Sequence, residues 1–386
     1  MATVEYRLFF DNEPADQERL DLFEQVVVEQ EVDVMWEARL EMPVCMDDKG
    51  HWDGEKESFL QPNTRVRVEV KVGERPFVPL IDGPITEVVT PRDSRPGHSS
   101  VTLVVHDDSV ALDQEESITS FQNKSDSQIA EQIFGGTLTG KPDVEKTPPQ
   151  PDNPSNTVVQ RGTQMQLLRA LARRHGMHAY VLPGDVPGQS VGAFKAFPTQ
   201  ADPELPMLIL LGEDRNFTSL NLRRNARGPA NVRASTLSIR DKRVTTATAA
   251  PSDAQLMGDA PAVEGGANTP TRVLPPGQND SVDVGDRTRD EASRLSLASR
   301  ATGEVLPFCY GGVLRPYRVV PVNVSDSDLS ANYLVTKVTH TLNRSTYGQS
   351  FSIRGNAVSV AAGGSAGAPQ ASASISVSFN IQGSIF

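Results

Sequence analysis

The sequence predicts a mainly β fold with small α/β insertions, and three observations predict it. RVRVEVKV at 65–72 alternates strictly, with Val66, Val68, Val70 and Val72 on one face and Arg65, Arg67, Glu69 and Lys71 on the other. Period 2 with valines is the mark of a half-buried strand. Further β-branched and apolar runs, separated by turn residues, fill the first hundred residues. Helical spacing is confined to short stretches at 125–136, 163–175 and 288–300.

The elements follow in order. VEYRLFF at 4–10 predicts a first strand, and the run from Leu20 to Pro43 predicts strands at about 23–29 and 34–41. After the 65–72 strand, Asp82-Gly83-Pro84 predicts a turn, and HSSVTLVVHDD at 98–108 a further strand. Five or so strands in so short a stretch imply a small antiparallel sandwich or barrel over 1–114. A short helix follows, capped by Ser125 or Ser127, with Ile129 and Ile133 on one face and Gly135-Gly136 ending it. Residues 141–156 are proline-rich and polar and read as a linker within an α/β subdomain at 115–205. QMQLLRALARRHG then predicts a helix with Thr163 as N-cap, Met165, Leu167, Leu168, Leu171 and Ala172 as its buried face, and Gly176 as its stop. MHAYVL opens a strand.

Residues 206–245 return to β character in PMLILL, FTSLNL and NVRASTLSIR. Residues 246–299 are poor in large apolar residues and read as a loop-rich excursion with a helix at 288–300. Strands resume within 300–358, the last two joined by a turn at Tyr347-Gly348. The stretch 359–386 is rich in Ala, Gly and Ser and ends in ISVSFNI, the pattern of a flexible spacer with a docking strand.

Composition excludes several function classes. Net charge is −12 and pI about 5.1, a poor fit to a nucleic-acid binder, which needs cations against phosphates. Cys45 and Cys309 form no CxxC or CxxH spacing, so neither a disulfide framework nor structural zinc is expected, only buried or half-buried thiols. The first residues have no basic segment followed by an apolar one, and the longest apolar run is too short to cross a bilayer. The expectation is assembly in the cytoplasm, no signal peptide and no stable membrane insertion.

The motifs that carry chemistry are weak. GQSVG at 188–192 matches G-x-S-x-G with Ser190 as nucleophile. That motif needs a strained strand-to-helix turn, and Pro198 and Pro203 argue against a following helix. GGTLTGKP at 135–142 nearly matches a phosphate-cradling loop, but a proline-rich stretch follows and Pro142 stands where the hydroxyl should be. His175 and His178 are three apart across Gly176, so their rings need not converge on a metal. Arg169, Arg173 and Arg174 read as a solvated helix face, or one that pairs with acids of a neighbouring chain. The Asn-x-Ser/Thr triplets at Asn123, Asn216, Asn323 and Asn343 carry little meaning alone. No distinctive paired-carboxylate motif stands out. No catalytic, cofactor-binding or metal-binding residue is therefore assigned, and the expectation is a structural protein, not an enzyme. The alternative is a hydrolase on a β scaffold using Ser190 or paired carboxylates.

The order of the pieces resembles the baseplate hub proteins of contractile phage tails, the family that includes the phage late control protein D and the N-terminal hub part of VgrG. The resemblance runs over 5–357. It rests on VMWEARLEMPV, on IDGPITEVV with Asp82, Gly83 and Ile85, on VTLVVHDDSVAL with Asp107 and Leu112, on SDSQIAEQIF, on the glutamine-led helix at 160–176, and on the final strand pair with Tyr333, Val335, Val338, His340, Tyr347, Phe351, Asn356 and Ala357. Gln164 departs from the family pattern, which usually has an acid after that threonine. The resemblance implies two tail-tube-like antiparallel β-barrels per chain, the first at 1–114 and the second from 206–245 and 300–358, in a homotrimeric ring. It implies a tail tube protein or tube initiator above and a trimeric spike below. It also implies baseplate wedge or LysM-type adaptor proteins alongside, and transient passage of DNA or effector cargo. No oligonucleotide-binding-type barrel or spike repeat follows, so the spike is expected on a separate chain. The location implied is a virion tail baseplate or contractile injection particle.

Overall fold

The structure is a computed structural model and describes residues 3–52, 57–95, 97–148, 157–237, 244–263, 269–274 and 284–359. The stretch at 360–386, expected to be a docking tail, lies outside them. Among the described residues the architecture is mainly β, with three helices of more than six residues at Asp126–Thr137, Gln164–Arg174 and Val284–Ser296. Among the described residues, no helix is long and apolar enough to cross a membrane.

One 13-stranded sheet dominates. Its path runs through Phe217–Arg224, Ser299–Val305, Tyr347–Gly355 and Ala331–Asn343, then Gln25–Glu31, Glu37–Pro43, Ser100–His106, Val78–Val89, Arg65–Val72 and Val4–Phe10. Two long strands change partner midway and make the corners. The 331–343 strand pairs Val319–Asn323 along its first part and Gln25–Glu31 along its second. A bulge between Val335 and Lys337 bends it, as an extra residue in a ladder does. The 78–89 strand pairs 65–72 and then 100–106, with a bulge between Ile85 and Glu87. Asp82-Gly83-Pro84 therefore lie inside this strand and form no turn. Gly83 is required there because a Cβ would sit 1.9 Å from the His106 carbonyl oxygen.

The sheet folds into two lobes, and no closed ring of strand pairing is present among the described residues. The first lobe encloses Leu8, Phe10, Trp36, Leu40, Val66, Val68, Ile81 and Leu103. The second encloses Leu208, Phe217, Val322, Tyr333, Val338, Phe351 and Ile353. Asn216 ties the Leu208–Ile209 strand to the start of the 217–224 strand through its side chain and its amide. Ile209 N donates to Asn216 Oδ1 at 2.8 Å, Asn216 Nδ2 to Met207 O at 2.9 Å, and Asn216 N to Ile209 O at 2.9 Å.

Between the lobes sits the α/β subdomain. Thr163 caps the 164–174 helix in a capping box with Gln166, and Met165, Leu167, Leu168, Leu171 and Ala172 are buried. The helix ends at His175, and Gly176 follows at φ +62°, a left-handed position that glycine adopts without strain. Strands Met177–Pro183 and Ser190–Ala196 pair antiparallel. In the proline-rich stretch, Asp143–Val144 adds a parallel strand beside 190–196.

Several expectations shift. Gly135 and Gly136 lie in the last turn of the 126–137 helix, which ends at Leu138. The last helix is Val284–Ser296, about four residues earlier than 288–300. Asn231–Leu237 pairs with Val244–Ala249 and Thr271–Val273 against that helix, apart from the large sheet. The final hairpin turns at 344–346, because Asn343 Oδ1 accepts from the Ser345 and Thr346 amides, so Tyr347 and Gly348 are already paired. Both cysteines are exposed, since each lies outside the strands, where the lobes leave them uncovered.

Candidate functional site

The chemistry-bearing residues converge where the α/β subdomain meets the first lobe. Strict alternation predicts a solvated polar face for the 65–72 strand, yet Arg67 is 1% and Glu69 7% exposed. The 183–190 segment covers that face. Arg67 Nη1 donates to Gly184 O at 2.8 Å and Nη2 to Asp185 O at 3.3 Å. Register then brings carboxylates to it: Arg67 is paired with Asp82 across the ladder.

The result is a buried ion network. Arg67 Nε lies 2.7 Å from Glu69 Oε1 and Nη1 3.0 Å from Asp82 Oδ2. Arg65 Nε lies 2.7 Å from Asp82 Oδ1, and its two terminal nitrogens grip Asp108 at 3.0 and 2.5 Å. Planar fork against carboxylate is the geometry arginine offers and lysine does not. Two arginines face three carboxylates, and neutral donors attend to the surplus negative charge. Gly188 N donates to Asp82 at 3.0 Å and Ser190 Oγ to Asp108 at 2.6 Å. Burial pushes the Asp82 carboxyl up, opposed by Arg65, Arg67 and the Gly188 amide. Next to the network, Asp107 accepts from the Trp36 and Ser109 amides at 2.6 and 2.8 Å, and burial pushes it up to about 6.

Ser190 is therefore present in the site but in another role than the motif suggests. It opens a strand, is 1% exposed, and donates to a carboxylate that is already held by Arg65. No histidine contacts it among the described residues. An activated serine needs an exposed hydroxyl and a base to take its proton. The glycines of GGTLTGKP make helix and a close backbone contact, Gly140 N to Ser190 O at 3.0 Å, with no phosphate cradle.

A second seam joins the subdomain to the turn after the 25–31 strand and to Tyr317, which packs in the first lobe's core. His178 Nδ1 lies 2.8 Å from Asp33 Oδ1, and its ring stacks on Phe197 at 3.7 Å. Tyr180 stacks on Tyr317 at 3.6 Å and 5°, while the Asp33 amide donates to the Tyr317 hydroxyl at 2.7 Å. Burial raises Asp33, but His178, Arg169 and Arg173 outweigh it and hold the carboxyl below its usual value. His175 turns away to Asp126 at 3.0 Å, where Arg174 also reaches. The two histidines thus serve separate carboxylates, and among the described residues no group of three or more His, Cys, Asp or Glu could hold a metal.

A third polar chain pins the 331–343 and 347–355 strands to the first lobe. The Tyr347 hydroxyl lies 2.9 Å from His340 Nδ1, His340 Nε2 lies 3.3 Å from Gln30 Oε1, and Gln30 Nε2 donates to Leu80 O at 2.6 Å. His340 is fully buried, and burial, then Arg315, lower it to about 3.

Asp82, Gly83, Asp107, His340 and Tyr347 were legible as landmarks in the sequence. Arg65, Arg67 and Asp108 were not, because alternation cannot say that a polar face will be covered. The one available signal was the opposite charge at Arg67 and Asp82 on successive strands.

The sequence matches no protein-family model and none of the curated protein sequences. Solved structures do match. The 43 kDa tail protein of prophage MuSo2 from Shewanella oneidensis is 17% identical, with 91% of this chain and 98% of that chain covered and a TM-score of 0.60. A tail protein from Neisseria meningitidis MC58 is 11% identical, with 91% and 96% covered and a TM-score of 0.59. An E. coli component of the type VI secretion system, described as structurally similar to the T4 bacteriophage tail proteins gp27 and gp5, is 11% identical, with 92% and 77% covered and a TM-score of 0.52. The chain has the fold these tail proteins share with the type VI component, the fold that the baseplate-hub resemblance implies.

Proposed function

We propose that this chain is the structural baseplate hub of a contractile tail or of a phage-derived injection machine, working as a homotrimer and not as an enzyme. The observation that carries the reading is the extent of the fold match: nearly the whole chain aligns with nearly the whole of a phage tail protein. The interior supports it. The charged and nucleophilic groups at the centre are spent on one another, which suits a scaffold that transmits force without chemistry. Two lobes per chain, three chains, make six similar units, so one ring offers near-sixfold symmetry to the tail tube above and threefold symmetry to the spike below. Wedge or LysM-type adaptor proteins would bind its periphery. A channel through such a ring would carry DNA or effector cargo, and a chain of net charge −12 would repel a polyanion and not retain it.

Light scattering on a sizing column tests this. The expected mass is three times 41.8 kDa, alone or on addition of the spike. A chain that stays monomeric in both conditions would sink the hub reading.

A further inference from the structure

We infer that the outer face of the second lobe carries a binding site for a small oxyanion, a carboxylate or phosphate group, held by Arg300 and Arg354. These two arginines are directly opposite across the 299–305 and 347–355 strands, and Arg223 is opposite Arg300 on the far side. Three like charges therefore stand in one row across three adjacent strands. Directly opposed like charges destabilise a sheet, and this row lies in a chain with a surplus of acids.

Among the described residues, Arg223, Arg300 and Arg354 have no ion-pair partner. Glu31 and Asp33 line the same cavity, but each is paired with another cation, Asp33 with His178 and Glu31, together with Glu29, with Lys337. Two residues along the same face, Thr302 is opposite Ser352, and neither hydroxyl has a protein partner among the described residues. Arg294 reaches the same place from the 284–296 helix, with its guanidinium already held by Glu291 at 2.6 and 2.8 Å, so Arg300 and Arg354 are the arginines left to grip an anion. Arg300, Arg354, Thr302 and Ser352 line one cavity of about 310 Å³ with Arg294 and Lys337, alongside the paired acids Glu31 and Asp33, and Phe197 and Leu297 wall its apolar side. Forked guanidinium donors with hydroxyls beside them suit the oxygens of a carboxylate or phosphate. Burial, then Arg300 and Arg294, lower the Arg354 guanidinium below its ordinary value, the cost an anion would relieve.

Thermal unfolding of wild type, Arg300→Gln, Arg354→Gln and the double variant, at fixed ionic strength, tests the site. Inorganic phosphate and citrate replace chloride in separate arms. Such anions stabilise most folded proteins by exclusion, so the readout is the difference between wild type and variant. In chloride, the variants should melt at or above wild type. In phosphate or citrate, wild type should rise further than the double variant and overtake it, and calorimetric titration should weaken at least about 10-fold in Arg300→Gln. A response to phosphate alone identifies a phosphate group, and a response to citrate alone a carboxylate such as a partner's acidic side chain. Equal rises in all four proteins, or no heat in either arm, overturn the site. Arg300 is exposed, so Arg300→Gln keeps the test valid if Arg354→Gln fails to fold.

Discussion

Ser190 and His340 show how one buried residue can be read in two ways. Ser190 carries the only hydroxyl in a G-x-S-x-G match, and its proton points at Asp108, 2.6 Å away. Ser190→Ala should cost about 2 kcal/mol, the worth of a hydrogen bond to a charged acceptor, and leave particle assembly and injection normal. Urea midpoints and an infection or injection assay check both halves. Abolished injection in a particle that assembles would revive the hydrolase reading. His340 is neutral in the fold, with its value lowered to about 3 by burial, while an unfolded histidine titrates near 6.5. Its contribution is therefore complete above pH 6.5 and is lost as pH falls toward 3, on the order of 4 kcal/mol across the window. Asp107 has the opposite sign. Raised to about 6, it favours the fold below pH ~4 and loses that contribution as pH rises through 6. The decisive quantity is thus the difference between His340→Gln and wild type. The variant should lose less melting temperature between pH 7 and 4.5, and parallel slopes would count against the buried-imidazole account.

Among the elements, the 78–89 strand decides the shape of the first lobe. It leaves the 65–72 strand and joins the 100–106 strand at Gly83, where the chains come so close that a Cβ would lie 1.9 Å from a carbonyl oxygen. Gly83→Ala should destabilise the fold by about 3 kcal/mol, the upper end of the overpacking range, and so lower the melting temperature and soluble yield, because the clashing atom is backbone and cannot rotate away. A variant that melts with wild type would show that the strands can separate there. Element identity was largely legible. Valine alternation marks 65–72 to the residue, and capping chemistry marks Thr163 as the start of its helix. Two features were not. Asp82-Gly83-Pro84 reads as a turn because its residue types favour one, yet the glycine there serves a close crossing. The final hairpin turns one step earlier than Tyr347-Gly348, because Asn343 gathers the amides of the next residues.

For the whole molecule, continuity of the sheet has a thermodynamic consequence. The 331–343 strand belongs to both lobes, and the Tyr347–His340–Gln30 chain pins its second half to the 25–31 strand. Separating the lobes would expose a long strand edge and leave buried polar groups unpaired, so both should unfold together. The two tryptophans, Trp36 and Trp52, lie in the first lobe, so their fluorescence reports that lobe while far-UV circular dichroism reports the whole chain. The two urea transitions should coincide, and an earlier fluorescence midpoint would mean lobes that fold independently.

By itself the sequence determined the class of the fold, most strand and helix positions, the buried face of the 164–174 helix and the landmarks Asp82, Gly83, Asp107 and His340. The elements rest on period, capping and turn chemistry, which act over a few residues, and the landmarks on the resemblance to the baseplate hub family. Only the tertiary structure decided that Arg65 and Arg67 are buried ion-pair partners, that Ser190 serves Asp108, and that Arg223, Arg300 and Arg354 stand in one row. Those facts depend on which distant strands lie side by side, in what register, and on what covers their polar faces. Alternation along one strand specifies two faces and cannot say which of them meets water.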